Sequence, residues 1–339
     1  MFKGITAQYT NVGLTRWFKE ENLVASFFQI YTLEMTRIEE TINNESQYKY
    51  ITGEEITHNK SSGVSSAGYV DDINHIASNK DINELEKITE NLHTLARKIY
   101  THNRLMVNDS KSQVLQIESN TTDAKNVDRK LVTITNAENK KLKAQSSMKI
   151  LGFTLNSRGS MDTDLSRKKS KIGMEYSKIK PYLKWMNLSD RKIVVNAKLR
   201  SILDYGLPLY MGENGDVRSK LESSYMTLKR IIHGGLTFKV SKVKICDYVK
   251  EEPPEKHILK VAAKYIHKHL HFRKCPALIE ELIIPKRSAS IIYMKNPQIG
   301  TYSASLDKLV NIYNMLPQNA KTMNPAKFKR YLRKNEVKT

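Results

Sequence analysis

The chain has 339 residues, 40% of them hydrophobic and 27% charged, and carries a formal charge of +21 with an isoelectric point near 9.7. That length and apolar content exclude a disordered or fibrous chain and predict two or three domains with real cores. The charge points to a polyanion: nucleic acid ahead of an anionic membrane surface, because no basic amphipathic helix with a clean apolar face stands out. No apolar run approaches the ~20 residues that span a bilayer, and the start MFKGITAQYTN lacks a secretory apolar core. Two cysteines, Cys246 and Cys275, make no disulfide framework. The expectation is a protein without a membrane partner, in a reducing intracellular compartment, nucleus or cytoplasm.

Residues 1–16 read as irregular. A helix is expected from Trp17 to Ile42, with Leu23, Phe27, Ile30 and Leu33 along one side, then short strands around Thr52-Gly53. Lys60-Ser61-Ser62-Gly63 reads as a loop leading into AGYVDDINHIAS, Ala67 to Ser78, a strand, a tight turn and a second strand. Asp is depleted in strands and favoured in turns, so Asp71 and Asp72 mark the bend. Two adjacent carboxylates repel unless a cation sits on them, and hard oxygen ligands suit Mg²⁺. An ordinary hairpin with two Asp in its turn fits the same residues. His75, three residues past the tip, reads as sheet packing rather than an acid–base group.

Asp81 caps the next helix, with Glu84 placed for a capping box. Ile82, Leu85, Ile88, Leu92, Leu95 and Ile99 recur at steps of three and four and predict one buried face. Strands are expected at Leu105–Val107 and Ser112–Ile117 around an Asn108-Asp109-Ser110 turn, then at Leu131–Thr135 and Met148–Leu155. Beyond Gly159 the character becomes helical and basic, with helices over Arg167–Tyr182, Asp190–Leu203, Val217–Ile232 and Pro254–His271. The fold class expected is α+β, in three regions: 1–159 as a sheet packed by helices, 160–235 as a basic all-helical domain, and 236–339 as a C-terminal helical region behind the Gly234-Gly235 break.

Several motifs in order resemble the reverse transcriptase of non-LTR retrotransposons. Tyr69-Val70-Asp71-Asp72 is similar to the family's Tyr-Ala-Asp-Asp hairpin, and an amphipathic helix follows. LMVNDSKS, Leu105 to Ser112, then resembles its Leu-x-x-Asn-x-x-Lys-Thr strand entry, with Asn108 and Lys111 in register. Lys149-Ile150-Leu151-Gly152-Phe153 resembles its Lys-x-Leu-Gly strand. KLRSILDYGLPLY, Lys198 to Tyr210, looks like the helix-to-turn signature beyond the thumb, and Val310 to Leu332 looks like the C-terminal tail, so the resemblance covers most of the chain.

The resemblance implies a polymerase palm sheet in 1–159, a basic thumb in 160–235 and RNA-directed DNA polymerase activity on an RNA template and DNA primer with dNTPs. Asp71 and Asp72 would hold Mg²⁺ or Mn²⁺ for two-metal nucleotidyl transfer. Lys111 would sit near the leaving pyrophosphate, as a mobile point charge, or else be a solvated surface lysine. Tyr69, Lys149 and Gly152 would lie along the primer, Lys149 to Phe153 acting mostly through backbone or being simply a core strand.

The family's third metal-binding carboxylate is an Asp on a strand before the hairpin, and no Asp precedes Asp71 here. The family's Gln-Gly pair is also replaced, by residues near Trp17 and Phe18. The expectation is therefore a truncated enzyme with weak or no activity alone, and the alternative is a non-catalytic nucleic-acid-binding protein derived from a retrotransposon. Arg167, Lys168, Lys169, Lys171, Arg191 and Lys192, interleaved with Tyr176, Tyr182 and Trp185, are the residues expected to track a phosphate backbone. His267 and His271, one helical turn apart, fit either a shared zinc or a basic, partly solvated helix.

Overall fold

The structure is a computed structural model that describes residues 3–9, 63–69, 72–79, 81–102, 107–108, 111–117, 131–135, 141–234, 240–272, 282–283, 291–294 and 301–334. The helix expected over Trp17–Ile42 and the strands around Thr52 lie outside the described residues. Contacts divide the chain into two compact units, Met1–Gly159 and Ser160–Thr339.

The first unit is built on a four-stranded antiparallel sheet in the order β2-β3-β1-β4, from β1 (Lys3–Tyr9), β2 (Gly63–Tyr69), β3 (Asp72–Asn79) and β4 (Gln113–Ile117). Lys3–Tyr9, expected to be irregular, is an interior strand: it pairs with β3 from Lys3↔Asn79 to Tyr9↔Ile73 and with β4 from Gly4↔Ile117 to Gln8↔Gln113. Its sequence, KGITAQY, alternates apolar Ile5, Ala7 and Tyr9 with polar Thr6 and Gln8, a two-residue period consistent with a strand, and pairing on both sides makes that strand interior.

Helix α1 (Ile82–His102) packs on the sheet. Asp81 caps it by accepting the Asn83 N–H at 2.8 Å. The capping box is rearranged: Asn79 Oδ1 accepts the Asp81 N–H at 2.9 Å, while Glu84 accepts from Asn79 Nδ2 at 3.0 Å. The buried face is Leu85, Thr89, Leu92, His93, Ala96 and Tyr100, closing a core with Ala77, Val114, Val132 and Ile134. Glu86 and Glu90, one turn apart on α1, accept the N–H groups of Thr133 and Thr135 in strand β5 (Thr133–Thr135), at 2.9 and 3.4 Å. β5 pairs with β6 (Lys141–Lys143).

The segment expected as one strand over Met148–Leu155 is a hairpin of β7 (Ser147–Ile150) and β8 (Phe153–Asn156). Leu151 and Gly152 form its turn with φ of 46° and 85°. Positive φ at both central residues is the primed turn that matches strand twist. Leucine in that conformation is uncommon, which is why the sequence reads through it as continuous strand.

The second unit is mostly helical. It runs through α2 (Asp162–Leu183), α3 (Leu188–Val195), a π turn at Asn196–Arg200, α4 (Ser201–Asp204) and a 3₁₀ turn (Leu207–Gly212), then α5 (Gly215–His233), α6 (Lys242–Val249) and α7 (Pro254–Phe272). A short antiparallel pair follows, β9 (Leu282–Ile283) with β10 (Tyr293–Met294). Helices α8 (Thr301–Asn314), α9 (Gln318–Lys321) and α10 (Pro325–Lys334) end the described chain. Contacts draw no division near residue 235, because α5 and α6 share a cluster of Met226, Ile245 and Cys246. The Lys198–Tyr210 segment is a helix-to-turn element: Gly206 takes φ of 67°, which lets the chain leave α4 and enter the 3₁₀ turn.

His75 is 2% exposed, its Nε2 lies 3.2 Å from the Tyr100 hydroxyl, and burial, with His93 adding, lowers its pKa from 6.5 to about 3. The folded state holds it neutral and the unfolded chain takes a proton below pH about 6.5. The first unit therefore loses stability as pH falls from about 6.5 toward about 3. Hydrogen exchange of the α1 amides across that window measures this, and His75→Gln flattens the dependence.

Candidate nucleic-acid interface

The acidic hairpin keeps its register to the end of both strands: β2 and β3 pair from Gly63↔Ser78 to Tyr69↔Asp72. Asp72 is the first residue of β3 rather than a turn residue, and Asp71 lies outside the described residues. Across the sheet, Gln8 of β1 stands between Asn74 of β3 and Gln113 of β4. Asp72 and Lys111 each lie two residues before that row, on strands that run parallel to one another. Both therefore stand at the same end of the sheet, two strand spacings or roughly 10 Å apart. Lys111 is exposed, and its N–H closes a turn on the Asn108 carbonyl at 3.1 Å, which also accepts from the Ser112 hydroxyl at 3.2 Å.

The same end of β1 supplies no carboxylate. Tyr9 stands opposite Ile73, and the strand reads Gly4-Ile5-Thr6-Ala7-Gln8 behind it. A two-metal centre needs acidic ligands beyond the hairpin pair. Among the described residues, the strand beside the hairpin does not add one. Among the described residues, no group of three His, Cys, Asp or Glu side chains is arranged to hold a metal ion. Lys149 is exposed on β7 opposite Thr154, while Gly152 belongs to the turn rather than to a strand.

The basic residues of α2 and α3 divide by what they touch. Lys168 is 3% exposed: its Nζ lies 3.1 Å from Asp164, donates to the Tyr205 carbonyl at 2.6 Å and sits 4.8 Å from the centre of the Tyr210 ring. Arg167 pairs with the same Asp164 at 3.0 Å. Arg191 donates to the Met186 and Ile232 carbonyls, and Lys192 donates to those of Val249 and Lys250, where α6 ends. Lys168, Arg191 and Lys192 tie their helices to neighbouring elements, and Arg167 pairs within α2. Lys169 and Lys171 remain exposed.

Helix α2 buries Leu165, Lys168, Ile172 and Leu183, and the opposite strip faces solvent. Steps of three and four along that strip place Lys171, Met174, Lys178 and Tyr182 together, with Trp185 just past the helix end. Met174 is 60% exposed, Tyr182 64% and Trp185 81%, and the Lys184 ammonium lies 4.7 Å from the centre of the Trp185 ring. Lys180 is exposed on the same helix. An aromatic–basic strip of this kind offers ring faces for stacking bases and ammonium groups for phosphates. Met174 and Lys184 were missed from sequence; the signal was their helical spacing from Lys171 and Tyr182.

No protein-family model, curated protein or solved structure matches the chain. Among the described residues, no helix is long and apolar enough to cross a membrane. His267, expected either as a zinc ligand or on a solvated face, is 1% exposed and stacks on Phe328 with ring centres 3.9 Å apart. Its environment is the core between α7 and α10.

Lys168→Met separates packing from ligand contact. It leaves the buried Asp164 short of a cation and destabilises the second unit by about 3–5 kcal/mol, whereas Lys169→Met on the exposed face changes stability by less than about 0.5 kcal/mol. Urea unfolding followed by circular dichroism compares the two.

Proposed function

We propose that the chain is a reverse-transcriptase-like protein of non-LTR retrotransposon descent. It binds an RNA template with a DNA primer, and its polymerase activity alone is weak or absent. The observation that carries this reading is the sheet register, which brings Asp72 and the turn that carries Lys111, just before β4, to the same end of the sheet. The exposed strip from Lys171 to Trp185 supports the binding half of it, as does the formal charge of +21.

A second reading is a non-catalytic nucleic-acid-binding protein in which the sheet is a scaffold. It is favoured by β1, which carries no acidic residue beside the hairpin.

Filter binding of the full chain to an RNA–DNA template–primer, across a salt series, tests both. The expected result is a steep loss of affinity as salt rises, with Trp185→Ala weakening binding by roughly tenfold. Primer extension on poly(rA) with Mg²⁺ or Mn²⁺ then divides them. Incorporation that Asp71→Asn or Asp72→Asn abolishes establishes the enzyme, and binding without incorporation leaves the scaffold reading. Weak binding with a flat salt slope overturns both.

A further inference from the structure

Within the second unit, α7 and α10 and the π turn enclose a cleft of about 530 Å³, inside the size range of small-molecule sites. Its inner end is electrically balanced. Glu251 accepts from Lys229 at 2.9 Å and lies 3.5 Å from Arg200. Asp204 accepts from the Tyr225 hydroxyl at 2.7 Å and lies 2.9 Å from His257. Lys260 pairs with Glu252 at 2.5 Å.

The mouth is not balanced. Lys264, one turn beyond Lys260 on α7, lines the cleft with Lys329 and Arg333, which are one turn apart on α10. None of these three cations forms an ion pair with a carboxylate among the described residues. Burial and then Lys329, with Arg333 adding, lower the pKa of Lys264, against the opposing pull of Asp204 and Glu252. Like charges are thus gathered here from two helices and left uncompensated. Packing holds them in place: Leu332, 1% exposed, also lines the cleft, and Phe328, one turn from it, stacks on His267 of α7. Leu228 and Ile232 of α5 give the cleft an apolar wall.

We propose that this cleft is a binding site for the phosphate group of a nucleotide-sized anion, with Lys264, Lys329 and Arg333 as its ligands and the apolar wall receiving the rest of the molecule. A phosphate dianion suits a planar guanidinium beside two mobile ammonium groups, because it accepts from all three while cancelling their repulsion. The site is distinct from the strip on α2 and does not depend on the polymerase reading. Its phosphate has two chemical sources, a free nucleotide or the 5′ end of a strand.

Calorimetry of the full chain with pyrophosphate, ADP, and an oligonucleotide carrying either a 5′-phosphate or a 5′-hydroxyl tests it. Binding is expected for pyrophosphate, with affinity falling about tenfold in Lys264→Gln and again in Arg333→Gln, as one charge-assisted hydrogen bond is lost in each. Lys327→Gln, on α10 but outside the cleft, leaves binding unchanged. ADP binding assigns the free nucleotide, and a preference for the 5′-phosphate that Arg333→Gln removes assigns the strand end. Thermal unfolding guards against misfolded variants: pyrophosphate raises the midpoint of the wild type and not that of Lys264→Gln, which melts no lower than wild type without ligand. Absence of binding to every probe at millimolar concentration overturns the proposal, as does affinity that both substitutions leave intact.

Discussion

The Asp164 carboxylate, with no side-chain exposure, is the constraint on which the second unit depends. A buried charge of this kind is tolerated only when it is paired and fully hydrogen-bonded. Lys168 and Arg167 supply the charge from the next turn of α2, and the Tyr210 hydroxyl reaches it from the 3₁₀ turn at 2.5 Å. Burial and Asp164 together push the ionisation of Tyr210 far upward, so the hydroxyl stays a donor. Lys168 ties the same point to the Tyr205 carbonyl just before Gly206. The first turn of α2 and the 3₁₀ turn are thereby fixed against each other.

From that point the order extends outward. Glu213, 5% exposed, accepts the Met161 N–H at 2.7 Å and places a carboxylate at the start of α2, where the helix dipole favours one. Ser305 of α8 donates to the Leu209 carbonyl and accepts the Gly212 N–H, at 2.8 and 2.7 Å, attaching α8 to the turn. A rigid base for α2 leaves one side of its far half in solvent, while Leu183 still packs. That is where Met174, Tyr182 and Trp185 stand in solvent, an arrangement a folded monomer does not need for stability and a binding surface does.

How far residues could be read ahead of the structure depended on the range of their interactions. The α1 face was legible at Leu85 and Leu92 because apolar periodicity is local, but Thr89, His93 and Tyr100 complete it for reasons of packing. The hairpin was legible over Ala67 to Ser78 from the apolar and small residues flanking an acidic pair, while β2 begins earlier, at Gly63, which the sequence reads as loop. β1 was expected to be irregular although Ile5, Ala7 and Tyr9 alternate with polar residues, and its interior place comes from partners more than sixty positions away in sequence. The Leu151-Gly152 turn was hidden because leucine there adopts a conformation that the surrounding hairpin imposes. Among the site residues, Lys168 and Lys169 are adjacent and chemically identical in sequence, yet one is core and the other surface.

The sequence by itself determined the basic character of the chain, the succession of hairpin, helix and strands, and the mostly helical nature of the described residues past Gly159. These follow from composition and from periods of two and of three to four residues, which act over a few turns at most. The tertiary structure alone decided which charges are spent on one another and which are left over. Arg167, Lys168, Arg191 and Lys192 are held by carboxylates and carbonyls brought to them by folding, while Lys264, Lys329 and Arg333 meet at one cleft without an ion pair to a carboxylate among the described residues. Charge is a property of the residue, but its availability to a ligand depends on what the fold places within hydrogen-bonding distance.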